Sequence, residues 1–175
     1  MLATGNPEFP RRVVCTGTRK VSVNREITDT THVLAEFPSG LTFMIAGTTV
    51  NEQGVPDIIR GRKATVYLAG SANQAQLKPE QIFAEEIDEE SFSDPAPFGR
   101  VENLHRNFYD CIRNGGTPFC NVDLSVRAST VLCLAEMSER LGIMAFFDEK
   151  SRTIKTGMGN VVPPLSYDTV VPKLT

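Results

Sequence analysis

The strand-like segments of this chain come first and the helix-like segments follow, and that order constrains the fold more than any other feature. A doubly wound sheet needs strands and helices in alternation, because each parallel strand is reached through a helical crossover. Here residues 12–18, 32–37, 41–50, 56–60 and 63–68 are β-rich before any helical periodicity appears, with shorter edge-strand candidates at 76–77 and 81–87. Residues 32–37 alternate and run into Pro38-Ser39-Gly40, a turn signal ahead of residues 41–50, so the two predict an antiparallel hairpin. Gly61-Arg62 marks a second bend, between residues 56–60 and 63–68. Residues 144–147 and 152–155 are expected to return as strands beside the first set. The expected fold class is α+β, a single domain over residues 1–175 with one open, mainly antiparallel sheet. Its helices pack on one face, and the other face is solvated or covered by a partner. Residues 156–175 read as an extended tail, with three prolines after position 160.

Two helices carry the middle of the chain. The first places Val101, Leu104, Phe108, Cys111 and Ile112 on one stripe. Glu102, Arg106, Asp110 and Arg113 fall on another sector, where neighbours pair in water. Gly115-Gly116 is its stop. Asp123 is the expected cap of the second helix, over residues 124–141, and Gly142 its end. That helix is apolar at Leu124, Ala128, Val131 and Ala135, and also at Val126, Cys133 and Met137, which predicts cover on two sides. Before the helices, residues 85–94 carry six carboxylates and no base, and read as a solvated connector ending at Pro95-Ala96-Pro97.

The search for chemistry mostly excludes. A net charge of −3 gives no reason to expect nucleic acid or an anionic membrane surface as partner. No apolar run approaches the ~20 residues that span a bilayer, and no basic-then-apolar leader opens the chain. The four cysteines, without a Cys-x-x-Cys pair, read as reduced and mostly buried thiols of a cytoplasmic protein. Two histidines and these cysteine gaps match no common zinc spacing; a site gathered from Cys15, His32 and a distant carboxylate is the remaining metal option. Gly157-Met158-Gly159 comes nearest to a pyrophosphate-binding turn, but Val162 stands at the third small position and Pro163-Pro164 blocks a following helix. It reads as a loop. His105 falls beside Tyr109 and Ile112, at the edge of the apolar stripe, as a structural histidine or as a polar group facing a substrate cleft. A hydrolase pairing His105 with a thiol is a third option, although Cys111 on the same helix fits a small hydrophobe better.

The block from Leu104-His105-Arg106-Asn107-Phe108 through Gly115, Pro118 and Ser138-Glu139-Arg140-Leu141-Gly142 to Phe146-Phe147-Asp148 resembles the closing portion of Gfo/Idh/MocA oxidoreductases. Pro10-Arg11-Arg12-Val13-Val14, Glu26-Ile27-Thr28-Asp29-Thr30 and Ile59-Arg60-Gly61-Arg62-Lys63 are similar to that family's early strands, connecting loop and glycine turn. The resemblance implies a C-terminal substrate and oligomerisation domain whose complete enzymes use NAD or NADP to move hydride at a sugar or polyol carbon. It implies a homo-oligomer through the exposed sheet face, and a dinucleotide-binding domain elsewhere, on a separate chain or in a longer one. The family's nucleotide-binding glycines, its catalytic lysine and its Asp-x-x-x-His pair have no counterpart here. The chain alone is therefore expected to bind no cofactor, hold no metal and perform no hydride transfer, with no catalytic residue assigned. The loop after residue 50 corresponds to a pocket-lining loop in which some members present a tyrosine; here that position is approximately Val55. Asn51, Gln53, Arg60 and His105 remain candidates to contact a small sugar-like ligand. A stand-alone sugar-binding or scaffold module derived from the same domain is the alternative.

Overall fold

The structure is a computed structural model, and it describes residues 4–69, 74–94 and 101–166. The strands are β1 (Arg12–Thr18), β2 (Thr30–Glu36), β3 (Thr42–Thr48), β4 (Asp57–Arg60), β5 (Ala64–Ala69), β6 (Gln74–Pro79) and β7 (Glu90–Ser93). Helices α1 (Val101–Asn114) and α2 (Val122–Leu141) follow, then β8 (Ala145–Asp148), β9 (Thr153–Lys155) and β10 (Val161–Val162). The α+β class holds. All pairings are antiparallel, but the strands divide between two sheets, in the orders β10-β9-β8-β1-β2-β3 and β4-β5-β6-β7. Those sheets belong to two compact units, one made of the chain up to Gln53 and from Val122 onward, the other of the chain between.

Alternation builds the first unit. Val13 and Cys15 on β1 and Val33 and Ala35 on β2 point to one face, where they meet Val131, Leu134 and Ala135 of α2 and Ala145 of β8 in a single core. Leu134 is fully buried. The predicted hairpin forms as read: Gly40 (φ 87°) donates its N–H to the Phe37 carbonyl, and Phe37 donates to Leu41. A glycine suits that position because the left-handed conformation costs it nothing. β8 and β9 return beside β1, as expected from their apolar runs. Phe9 is buried against Phe147, with the guanidiniums of Arg127 and Arg152 at 4.6 and 4.2 Å from its ring centre. The chain ahead of β1 is thereby fastened to both α2 and the β8–β9 turn.

Ser138 closes the seam between α2 and β1. β8 pairs with β1 only at Arg12 and Val13. Beyond that point the Cys15 N–H donates instead to Ser138 Oγ at 2.8 Å, and the same hydroxyl donates to the Ile143 carbonyl at 2.5 Å. A helix-interior serine thus satisfies two backbone groups that no strand reaches.

Several sequence expectations need correction. Residues 81–87 form no strand: Gln81–Phe83 is one 3-10 turn whose carbonyls and amides bond locally. The acidic connector is partly ordered as β7, an exposed edge where Glu90 stays solvated; Pro95-Ala96-Pro97 lies outside the described residues. Asp123 sits inside the first turn of α2 and pairs with Arg127, four residues on, instead of preceding the helix. Among the described residues α2 is covered along one face, and Leu132 and Cys133 are left exposed. No side chain of α1 is buried: Phe108 and Ile112, expected in an apolar stripe against a core, are more than half exposed. Only Cys15 of the four cysteines is buried, and Cys120 and Cys133 are exposed. Residues 161–162 of the expected tail pair with β9, and residues 167–175 lie outside the described part.

In the second unit, β5 buries Thr65 beside Glu80, while Lys63–Glu86 and Lys78–Glu89 link strands to the acidic segment at its surface. Exposed pairs of this kind contribute about 0–1 kcal/mol each, so they tune this sheet without defining it. Among the described residues no helix is long and apolar enough to cross a membrane.

Candidate functional site

Asn51 and Gln53 lie on the exposed loop after β3. Asn51 Oδ1 accepts the Gln53 N–H at 2.7 Å, a local turn that leaves the Asn51 amide nitrogen and the Gln53 side chain facing solvent. Arg60 ends β4 opposite Thr65 and is exposed; His105 on α1 is exposed too. Asn51 and Gln53 belong to the first unit, and Arg60 and His105 to the second. The structure joins only the first two through a hydrogen bond.

A concavity lies within the first unit, between α2 and the outer strand β3. The groove has a volume of about 330 Å³. Phe37, Leu41, Phe43 and Ile45 form its floor, and Leu124, Ala128, Val131 and Leu132 its helical wall. Sequence reasoning did not single it out. Its signal was present: residues 41, 43 and 45 share one strand face, and 124, 128 and 131 share one helix face. What the sequence could not supply is that α2 leaves β3 uncovered.

The titratable groups of this unit are structural in character. Burial, with Glu139 adding to it, pushes the Cys15 thiol up to about 11, so it is no thiolate nucleophile at neutral pH. The metal option built on Cys15 and His32 fails on register. Cys15 opposes Val33 while His32 opposes Thr16, so the two side chains leave opposite faces of the sheet. No group of three or more potential ligands gathers among the described residues. Asp29 is buried, and its Oδ2 accepts N–H bonds from Lys20, Val21 and Ser22 at 2.8–3.0 Å. Those donors, Ser22 and Val21 foremost, hold its carboxyl below the usual range and lock the loop between β1 and β2.

The glycine turn at residues 157–159 does not fit the pyrophosphate of a dinucleotide. Gly157-Met158-Gly159 lies in a tight β9–β10 turn, in which the Thr156 N–H donates to Asn160 and the Gly159 N–H to Thr156. A strand follows it, so no helix N-terminus is there to receive a pyrophosphate.

No family model matches the sequence, and no curated protein matches it. Solved structures do match its fold. An aldose-aldose oxidoreductase from Caulobacter crescentus complexed with glycerol superposes with a TM-score of 0.61 at 18% identity, over 80% of this chain and 42% of that one. A putative oxidoreductase from Thermotoga maritima gives 0.59 at 16%, over 80% and 41%. The WlbA dehydrogenase from Bordetella pertussis, in complex with NADH and UDP-GlcNAcA, gives 0.56 at 17%, over 80% and 40%. The chain spans less than half the length of these oxidoreductases.

Proposed function

We propose that this chain, whose fold is that of part of a Gfo/Idh/MocA-type oxidoreductase, is the C-terminal substrate-binding and oligomerisation domain of an NAD(P)-dependent sugar or polyol oxidoreductase. By itself it is not competent for hydride transfer. The observation that carries the reading is coverage: four fifths of the chain superposes on less than half of each neighbour. The neighbour holding NADH supports a nicotinamide cofactor for the complete enzyme. The glycine turn between β9 and β10 supports a cofactor site built from residues other than these.

In this reading Asn51 and Gln53 supply neutral donors to hydroxyl groups of a small sugar-like ligand, and Arg60 and His105, in the other unit, are separate candidate donors. Four cysteines without a disulfide support a cytoplasmic setting. The bare sheet face, where Val14, Leu34 and Met44 align across β1, β2 and β3 at 37, 46 and 61% exposure, supports an assembly surface. Amide NMR of the labelled chain titrated with glycerol, glucose and myo-inositol tests the substrate role. The expected result is saturable shifts at Asn51 and Gln53 that an Asn51→Ala, Gln53→Ala variant abolishes. Shifts absent from that loop at 100 mM polyol would reject it.

A further inference from the structure

We infer that β3 is the contact strand of a two-fold dimer, in which the β3 edges of two copies pair antiparallel about Ile45 and continue the six-stranded sheet across the axis.

Among the described residues β3 pairs only with β2 and so presents one row of backbone groups outward. Free edges are normally blunted by charge, proline, a bulge or brevity. The other edges obey: β10 has two residues, β4 carries Asp57 and Arg60, and β7 carries Glu90. β3 is seven residues of Thr-Phe-Met-Ile-Ala-Gly-Thr, without charge or proline.

Hydrogen-bond parity identifies the outward groups. Phe37 donates to Leu41 and Thr49 donates to Asp29, both on the register that pairs Val33 with Ile45. Odd-numbered residues of β3 therefore bond inward to β2. Thr42, Met44, Ala46 and Thr48 turn their N–H and C=O groups outward. Two-fold pairing centred on Ile45 sets Thr42 against Thr48 and Met44 against Ala46, so every outward group finds a partner. A shift of one pairing step in either direction leaves outward groups at one end unmatched.

Side chains agree with that register. It sets Phe43 against the partner's Gly47, and a Cβ added at Gly47 would meet nothing within 4 Å, leaving room for a ring. Met44 meets the partner's Ala46, again large against small. Phe43 and Ile45 also floor the groove beside α2. Because the axis of such a dimer is perpendicular to the sheet, both grooves lie on one face and each partner's Phe43 closes the other's open side. This self-complementarity commits the edge to a second copy, since an isologous contact must match its own sequence.

Sedimentation velocity on the full chain tests it. The wild type is expected to be dimeric at tens of micromolar. Gly47→Val places a side chain in the space the ring needs, its Cβ meeting nothing within 4 Å in the monomer, and Ala46→Pro removes an outward donor while sparing the bonds to β2. Each is expected to weaken the dimer about tenfold or more with an unchanged circular dichroism spectrum, because the axis doubles every loss. Ile45→Cys, with Cys111, Cys120 and Cys133 replaced by serine, is expected to cross-link to itself on mild oxidation, as opposed strand residues at a non-bonded pair can. Leu34→Lys, on the bare sheet face, reports separately on face-to-face assembly and is expected to leave the edge dimer intact. A monomeric wild type, or a dimer that survives Gly47→Val, overturns the inference whatever Leu34→Lys does. If Ala46→Pro fails to fold, Gly47→Val and the cross-link decide.

Discussion

Replacing Ser138 by alanine removes a hydroxyl that joins α2 to β1. Ser138 is 2% exposed, and its hydroxyl accepts from the Cys15 N–H and donates to the Ile143 carbonyl. Without it the Cys15 amide is left in a dry seam, since neither β2 nor β8 reaches it, at a cost of about 1–3 kcal/mol. The Ile143 carbonyl is only part-buried and recovers some solvation, adding about 0.5–1.5 kcal/mol. The sum is ~1.5–4.5 kcal/mol, centred on ~3. With a urea dependence near 2 kcal/mol per molar, the unfolding midpoint should fall by about 1–2 M. Thr130→Ala on the same helix is the control, because the Thr130 hydroxyl only bonds back to Val126 on the exposed side. It should change stability by no more than ~0.5 kcal/mol. Far-ultraviolet circular dichroism in urea reads both. If Ser138→Ala shifts the midpoint no further than Thr130→Ala does, the seam is not held by that hydroxyl.

Leu134→Ala, at a fully buried position, should cost ~3–5 kcal/mol in thermal or urea unfolding, whereas Leu132→Ala, two residues along and exposed, should cost under ~1; equal costs would refute the one-sided cover of α2. Asp29 has a carboxyl held below its unfolded value, so its stabilisation is present above the ordinary aspartate range near ~3.9 and is lost as pH falls through the lower folded value. Urea midpoints from pH 6 to pH 3 should fall less steeply in Asp29→Asn than in the wild type, and parallel profiles would exclude Asp29 as a contributor. Iodoacetamide at pH 8 should modify Cys120 and Cys133 at least ~100-fold faster than Cys15, as peptide mass mapping would show; comparable rates would contradict the buried thiol.

How far the sequence led differs by element. Residues 12–18 and the Pro38-Ser39-Gly40 hairpin were legible because alternation and turn chemistry are local, and the structure repeats them nearly residue for residue. β7 was hidden because Glu90-Ser91-Phe92-Ser93 has the composition of a solvated connector, and an edge strand tolerates that composition. Leu132 and Cys133 misled in the opposite sense, since apolar residues record what can be buried and not what is. Of the ligand candidates, Asn51, Gln53 and Arg60 came from a family resemblance, because an asparagine in a loop carries no chemistry of its own. The outward parity of Met44 and Ala46 was illegible for a further reason: register fixes which residues oppose each other, but only the hydrogen bonds at Phe37 and Thr49 say which way each points.

Fluorescence titration of the purified chain with NADH and NADPH tests the central claim most directly. The account predicts no saturable binding up to millimolar cofactor, because the glycine turn at residues 157–159 leads into a strand. Saturation at micromolar concentration would contradict it.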